Sequence, residues 1–105
     1  MNEQFALHIP ADHPAFAGHF PGAPIVPGVV LLDEALWRVG DALRIAVHEC
    51  AIQSAKFLSA ARPGESLQLA ISHEANRRIA FEIRAPDRLI ASGMLLLPAQ
   101  AQVGA

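Results

Sequence analysis

The run GHFPGAPIVPGVVLLDEALWRVG, Gly18 to Gly40, divides at Pro27. Upstream, from Pro10 to Pro27, the chain places five of its eight prolines together with Gly18 and Gly22. No regular helix or central strand persists through such a stretch, because each proline fixes φ and removes a backbone donor. The stretch therefore reads as one long loop, with room for a helical turn near Ala15. Loops longer than about 12 to 15 residues are uncommon in compact domains and tend to carry function. Downstream, Pro27 suits the first turn of a helix that runs to about Gly40 or Asp41, where the glycine supplies a stop. Val29, Val30, Leu31, Leu32, Ala35, Leu36, Trp37 and Val39 cover most of its circumference. That distribution predicts a central, buried helix, and a sheet must wrap it.

The flanking sequence supplies the sheet. Phe5, Leu7 and Ile9 alternate with Ala6 and His8, the period of a short strand that stops at Pro10. The segment from about Ile45 to Leu58 alternates imperfectly and reads as a strand closed by a Pro63-Gly64 turn. Leu67, Leu69 and Ile71 form one half-buried strand, and Ile79, Phe81 and Ile83 another. Turns at about Asn76 and at Pro86-Asp87 join the strands as hairpins. The last segment, Leu89 to Leu97, is apolar on both parities, as in a strand covered on both faces or lying at a subunit contact. The predicted order is strand, long loop, buried helix and antiparallel meander. Residues 98–105, rich in Ala and Gln, read as a frayed tail on a single domain spanning 1–105.

With 105 residues there is no room for a separate cofactor domain beside a catalytic one. A core of this size gains from covering a further face, so oligomerisation is expected. Ten acidic against eight basic residues give a net charge of -2, which argues against a nucleic-acid partner. The lone Cys50 makes no internal disulfide and reads as a small buried hydrophobe in a reducing compartment. The N-terminus has neither a basic region nor a continuous apolar one, and no stretch reaches the ~18 apolar residues of a membrane span. A cytoplasmic location without membrane association is the expectation.

The chemistry concentrates in the loop and the helix. Asp12, His13 and His19 lie in the loop, and Asp33 and Glu34 in the helix. A histidine and a carboxylate are the usual pair for proton transfer near neutral pH. Gly18 and the Phe20-Pro21-Gly22 run fix the backbone around His19 and leave space for a substrate. Asp33 has Val29, Val30, Leu36 and Trp37 as helix neighbours at three and four residues. An apolar face of that kind favours the neutral carboxyl from which a general acid donates. Glu34 has Arg38 at i+4, the arrangement of a surface ion pair. The helix start at Gly28 and Val29 offers backbone N-H groups that can polarise a carbonyl oxygen, although Gly28 also simply relieves crowding. Asp12, His13 and His19 match no familiar zinc spacing, and no metal is expected. His8, His48 and His73 have no assignable acid-base partner.

The Gly18 to Gly40 run closely resembles the active-site segment of the 3-hydroxyacyl-[acyl carrier protein] dehydratases of the FabA/FabZ type, which are α+β hotdog folds. The later AKFLSAARPGESLQLAI, from Ala55 to Ile71, looks like the family's strand pair with its proline-glycine turn. The resemblance implies His19 and Asp33 as catalytic residues fourteen positions apart. It also implies Gly28 as the residue whose N-H meets the thioester carbonyl. Phe20, Pro21, Gly22, Val29, Val30 and Trp37 would line the substrate site, with Val30, Leu36 and Trp37 bordering the acyl chain. The implied reaction dehydrates a 3-hydroxyacyl thioester on acyl carrier protein to the trans-2-enoyl thioester without a cofactor. The implied assembly is a homodimer, or an assembly of dimers, in which His19 of one chain meets Asp33 of the other. The acidic carrier protein would dock on basic groups such as Lys56, Arg62, Arg77 or Arg78.

Three features set this chain apart from the family pattern. It is short, so the extra N-terminal segment of larger members is expected to be missing. Trp37 stands where the family commonly has a glutamine four residues after the acid. The acid is aspartate, the choice of the branch that also isomerises the double bond. A hotdog thioesterase or hydratase, or a non-catalytic hotdog subunit that binds a carrier protein or pairs with an active homologue, are the rival readings.

Overall fold

The computed structural model describes residues 2–9 and 26–98. Strand β1 covers Asn2–Leu7, helix α1 Gly28–Leu43, and strands β2 to β5 cover Ala51–Phe57, Leu67–Glu74, Arg78–Ala85 and Arg88–Leu96. A 3-10 turn, Val47–Glu49, precedes β2. All pairings are antiparallel, and the sheet order is β1-β3-β4-β5-β2. One helix on one face of this sheet is the hotdog arrangement that the resemblance implied. Among the described residues, no helix is long and apolar enough to cross a membrane.

The core is the inward parity of the strands packed on one side of α1. Leu69, Ile71, Ile79, Phe81, Ile83, Leu95 and Leu97 are buried with Leu31, Ala35 and Val39 of the helix. The predicted turns are present in their specific forms. Gly64 takes φ 78° after Pro63, and the Glu65 N-H donates to the Arg62 carbonyl at 3.1 Å. Asn76 and Arg77 both take positive φ, 62° and 61°, as a two-residue hairpin turn requires.

Several boundaries differ from the reading of the sequence. β1 begins at Asn2 and ends at Leu7, before the predicted Ile9. The helix continues three residues past Gly40, which is buried within it, and stops at Arg44 in the left-handed conformation. Gly40 is buried, and that tertiary burial outweighs its low helix propensity. Residues 45–50 are a turn and a 3-10 helix rather than strand.

β2 does not continue the meander: it crosses to pair with β5, because β1 already occupies the open edge of β3. Its imperfect alternation has a local cause. The register shifts between Ile52 and Ser54, leaving Gln53 as an extra residue. A second bulge places two consecutive apolar residues of β5 in the core. Ile83 pairs with Ala91 and Arg84 with Leu89, so Ile90 is the extra residue, and Ile90 and Ala91 are both fully buried. Beyond the bulge Leu95 and Leu97 are buried, whereas Met94 and Leu96 on the other parity are only half-buried.

The tail from residue 99 onward lies outside the described residues.

Candidate active site

The start of α1 is built by the segment that follows β2. Val26 donates its N-H to the Ala61 carbonyl at 2.7 Å, which places Pro27 at the helix N-cap. The first helical bonds run from Val30 and Leu31 to the Pro27 carbonyl, at 3.0 and 3.2 Å. The N-H groups of Gly28 and Val29 precede them and find no acceptor among the described residues. No side chain caps this end and no acid lies in its first turn, so its partial positive charge is not offset from within the helix.

Gly28 borders an open groove of about 560 Å³ lined also by Val26, Leu31, Phe57, Leu58, Ser59 and Ala60. Gly28 is half-buried against the Phe57 ring: a Cβ there would stand 2.8 Å from Phe57 Cζ. The relief of crowding and the carbonyl-polarising role weighed for Gly28 are compatible at this position. Apolar walls beside N-H donors that find no acceptor among the described residues suit a ligand that carries a carbonyl and an acyl chain.

Asp33 lies five residues further along, about 7.5 Å along the helix axis. It is exposed, and its i-4 and i+4 neighbours Val29 and Trp37 are 73% and 61% exposed. The prediction of a helix buried all round is thus corrected. Val30, Leu31, Ala35, Val39 and Gly40 form its one buried side, while Val29, Asp33 and Trp37 form an uncovered apolar stripe with a carboxyl in its middle. A five-stranded sheet covers only one side of a helix, so the chain alone does not desolvate Asp33. Of the residues assigned to the acyl chain, Val30 belongs to the core and Leu36 packs partly against it.

Glu34 does not pair with Arg38. Arg38 turns instead to Asp41, at 4.0 Å, and stacks its guanidinium 5.1 Å from the centre of the Phe5 ring. The aromatic face is the better partner because it also covers the aliphatic stem. His73 gains a partner that the sequence did not indicate, Glu3 of the neighbouring β1, at 3.5 Å. His8 and His48 are exposed. Cys50 is half-buried, and burial pushes its thiol up from the ordinary range, consistent with a packing role. Asp12, His13, His19, Phe20, Pro21 and Gly22 lie outside the described residues.

The basic side chains do not form one patch. Lys56 and Arg62 are exposed, one near the Phe57 end of β2 and the other in the segment after it. Arg77 and Arg78 sit at the other end of the strands, where Arg77 Nη1 donates to the Leu97 carbonyl and Arg78 Nε to that of Ala75. An ion-pair cluster missed in the sequence lies on the groove side. Arg88 binds Glu65 through two bonds of 2.8 Å, and also reaches Asp87 at 2.8 Å and the Ala60 carbonyl at 2.6 Å. The Arg88 bonds hold the Glu65 carboxyl below the usual carboxylate range, helped by the Arg62 N-H, and keep the guanidinium charged. The partners are 23 residues apart, a separation at which sequence spacing carries no pairing signal.

A family model described as ApeI-like, ApeI dehydratase, matches residues 2–94. The chain is 40% identical over 78 residues to a 3-hydroxyacyl-[acyl-carrier-protein] dehydratase FabZ of Chloroflexus aggregans, covering 67% of this chain and 54% of that protein. It spans about half the length of several of the dehydratases it matches. Among solved structures it is similar to the dehydratase heterocomplex ApeI:P from Xenorhabdus doucetiae, with a TM-score of 0.69, 25% identity, and coverage of 90% of this chain and 85% of that one. The (R)-hydratase from A. caviae involved in PHA biosynthesis shares the fold at a TM-score of 0.64 and 16% identity, covering 93% and 95% of the two chains.

Proposed function

Because the chain belongs to the ApeI-like dehydratase family, we propose that it removes water from a 3-hydroxyacyl thioester carried on acyl carrier protein, giving the trans-2-enoyl thioester. The observation that carries this reading is the apolar groove at the start of α1, with Gly28 in its wall and the Gly28 and Val29 N-H groups finding no acceptor among the described residues. The thioester carbonyl accepts from the Gly28 N-H, and the positive end of the helix stabilises the enolate-like charge. The imidazole of His19 takes the proton from the carbon next to the carbonyl. The electron pair of that C-H bond becomes the new carbon-carbon double bond as the bond to the 3-hydroxyl breaks. Asp33 supplies the proton with which the hydroxyl leaves as water. The assignment of His19 and Asp33 rests on the resemblance of their segment to the dehydratase motif.

A second copy of the chain covers the Val29, Asp33 and Trp37 stripe in this reading, forming a homodimer. Val29, Trp37, Ile52, Phe57 and Leu58 are large apolar residues exposed on α1, on edge strand β2 and just after it, which supports burial of that side in an assembly. Burial there would provide the apolar surroundings that Asp33 lacks in the single chain. The carrier protein docks on the exposed Lys56 and Arg62, which flank the groove residues Phe57 to Ala60 in the chain, rather than on Arg77 and Arg78.

Incubation of the purified protein with a panel of 3-hydroxyacyl carrier-protein thioesters tests the reaction. Absorbance of a conjugated enoyl thioester supports dehydration, and release of free thiol supports a thioesterase. Trp37 in the place of the family's glutamine, and the ApeI:P heterocomplex among similar structures, favour one second reading: a subunit that works only beside a different hotdog chain. Absence of turnover on every substrate until such a chain is added would select that reading.

A further inference from the structure

Residues 58–65 hold the chain at both sides of the Pro10 to Ile25 stretch. The Gly64 N-H donates to the Ile9 carbonyl at 3.2 Å, and the Ala61 carbonyl accepts from Val26 at 2.7 Å. Gly28 follows Val26 by two residues, so the position of Ala61 sets that of the helix start. The segment needs support of its own, since it is neither strand nor helix. At its beginning, the N-H groups of Leu58 and Ser59 both donate to the Ile90 carbonyl, at 2.8 and 3.2 Å, which the bulge in β5 leaves available. In its middle, Arg88 Nη2 donates to the Ala60 carbonyl at 2.6 Å. At its end, Glu65 accepts two bonds from Arg88 and one from the Arg62 N-H at 3.0 Å.

We propose that Arg88, held by Glu65, is a positioning residue that fixes the Gly28 and Val29 N-H groups through the bonds of Ala60 to Arg88 and of Ala61 to Val26. The inference rests on the dehydratase reading for its catalytic consequence, but not for its structural one. The side chain must be arginine. Its planar fork spans both oxygens of Glu65 while a remaining N-H reaches Ala60, and an ammonium group makes one such contact at a time. Displacement of catalytic donors by about 1 Å can cost on the order of 100-fold in rate, so loss of the grip reaches kcat without removing any group that touches substrate.

Arg88→Met, Arg88→Lys and Glu65→Gln provide the test, with amide hydrogen exchange read by nuclear magnetic resonance and turnover measured on the best substrate. In Arg88→Met, the Val26 and Gly64 amides should exchange at least about tenfold faster, with those of Leu69 and Ile83 in the sheet core unchanged. Its kcat should fall about 10- to 100-fold with a smaller change in KM. Arg88→Lys and the isosteric Glu65→Gln should lie between this variant and the parent in both measurements. If Arg88→Met does not fold, Glu65→Gln alone carries the comparison. Unchanged exchange at Val26 and Gly64 in the folded variants would overturn the proposal, as would faster exchange with unaltered kcat. If the parent dehydrates no substrate, the dehydratase reading fails by itself. The exchange measurement then decides the grip alone, with faster exchange at both amides supporting it and unchanged exchange refuting it.

Discussion

Asp33 and Glu34 are adjacent acids with different surroundings, and substitution separates them. Asp33→Asn should lower turnover by ~10²- to 10⁴-fold, the range of a lost general acid, whereas Glu34→Gln should change it little. His19→Ala should match the Asp33 defect with an unchanged melting curve, as measured by circular dichroism. The reverse ranking of the two acids would overturn the assignment of Asp33. Glu65 carries a prediction of a different kind. Its carboxyl titrates lower in the folded chain than in the unfolded one because Arg88 and the Arg62 N-H favour the charged form. Its contribution to stability is therefore complete above the ordinary glutamate value of ~4.3 and is lost as pH falls through the lower folded value. The urea midpoint of the parent should drop more steeply than that of Glu65→Gln below about pH 4.3. The candidate residues in the motif were legible because chemistry and spacing coincide in one short run. Glu65 and Arg88 were not, since their meeting depends on how β5 passes the turn after β2.

Strand boundaries were less legible than strand identities, and the two bulges show why. The extra residue at Ile90 puts two consecutive residues in the core, and the one at Gln53 interrupts a strand whose side chains are almost all exposed, so simple alternation fails at both places although both are strands. Gly93 records the close approach of β2, β4 and β5. A Cβ there would overlap the Ser54 carbonyl oxygen and come within 2.6 Å of the Phe81 ring. Backbone cannot yield as a flexible side chain does, so Gly93→Ala should destabilise the chain by roughly 1 to 3 kcal/mol in urea denaturation. Gly28→Ala makes the instructive contrast. The three atoms nearest its added methyl all belong to the half-exposed Phe57 ring, a side chain that yields more readily than backbone, so the stability change should stay below about 1 kcal/mol.

At the scale of the whole molecule, the exposed stripe on α1 and the open edge of β2 lead to a test of shared sites. His19→Ala and Asp33→Ala homodimers should each be inactive. Unfolded and refolded together, they should form mixed dimers with one intact site and one doubly altered site. Random pairing makes about half the dimers mixed, so about a quarter of the parent activity should return. Recovery near zero, with mixed dimers confirmed by mass, would place both residues in the site of one chain. Family, fold class and the succession of helix and strands among the described residues were determined by the sequence alone, because periodicity, turn residues and a long motif are local properties. Tertiary structure alone decided the crossing of β2 to β5, the uncovered side of α1, the Arg38 stack on Phe5 and the Arg88 grip on Ala60 and Glu65. Each of these is a choice among several chemically adequate partners, and only the relative placement of elements distant in the chain makes it.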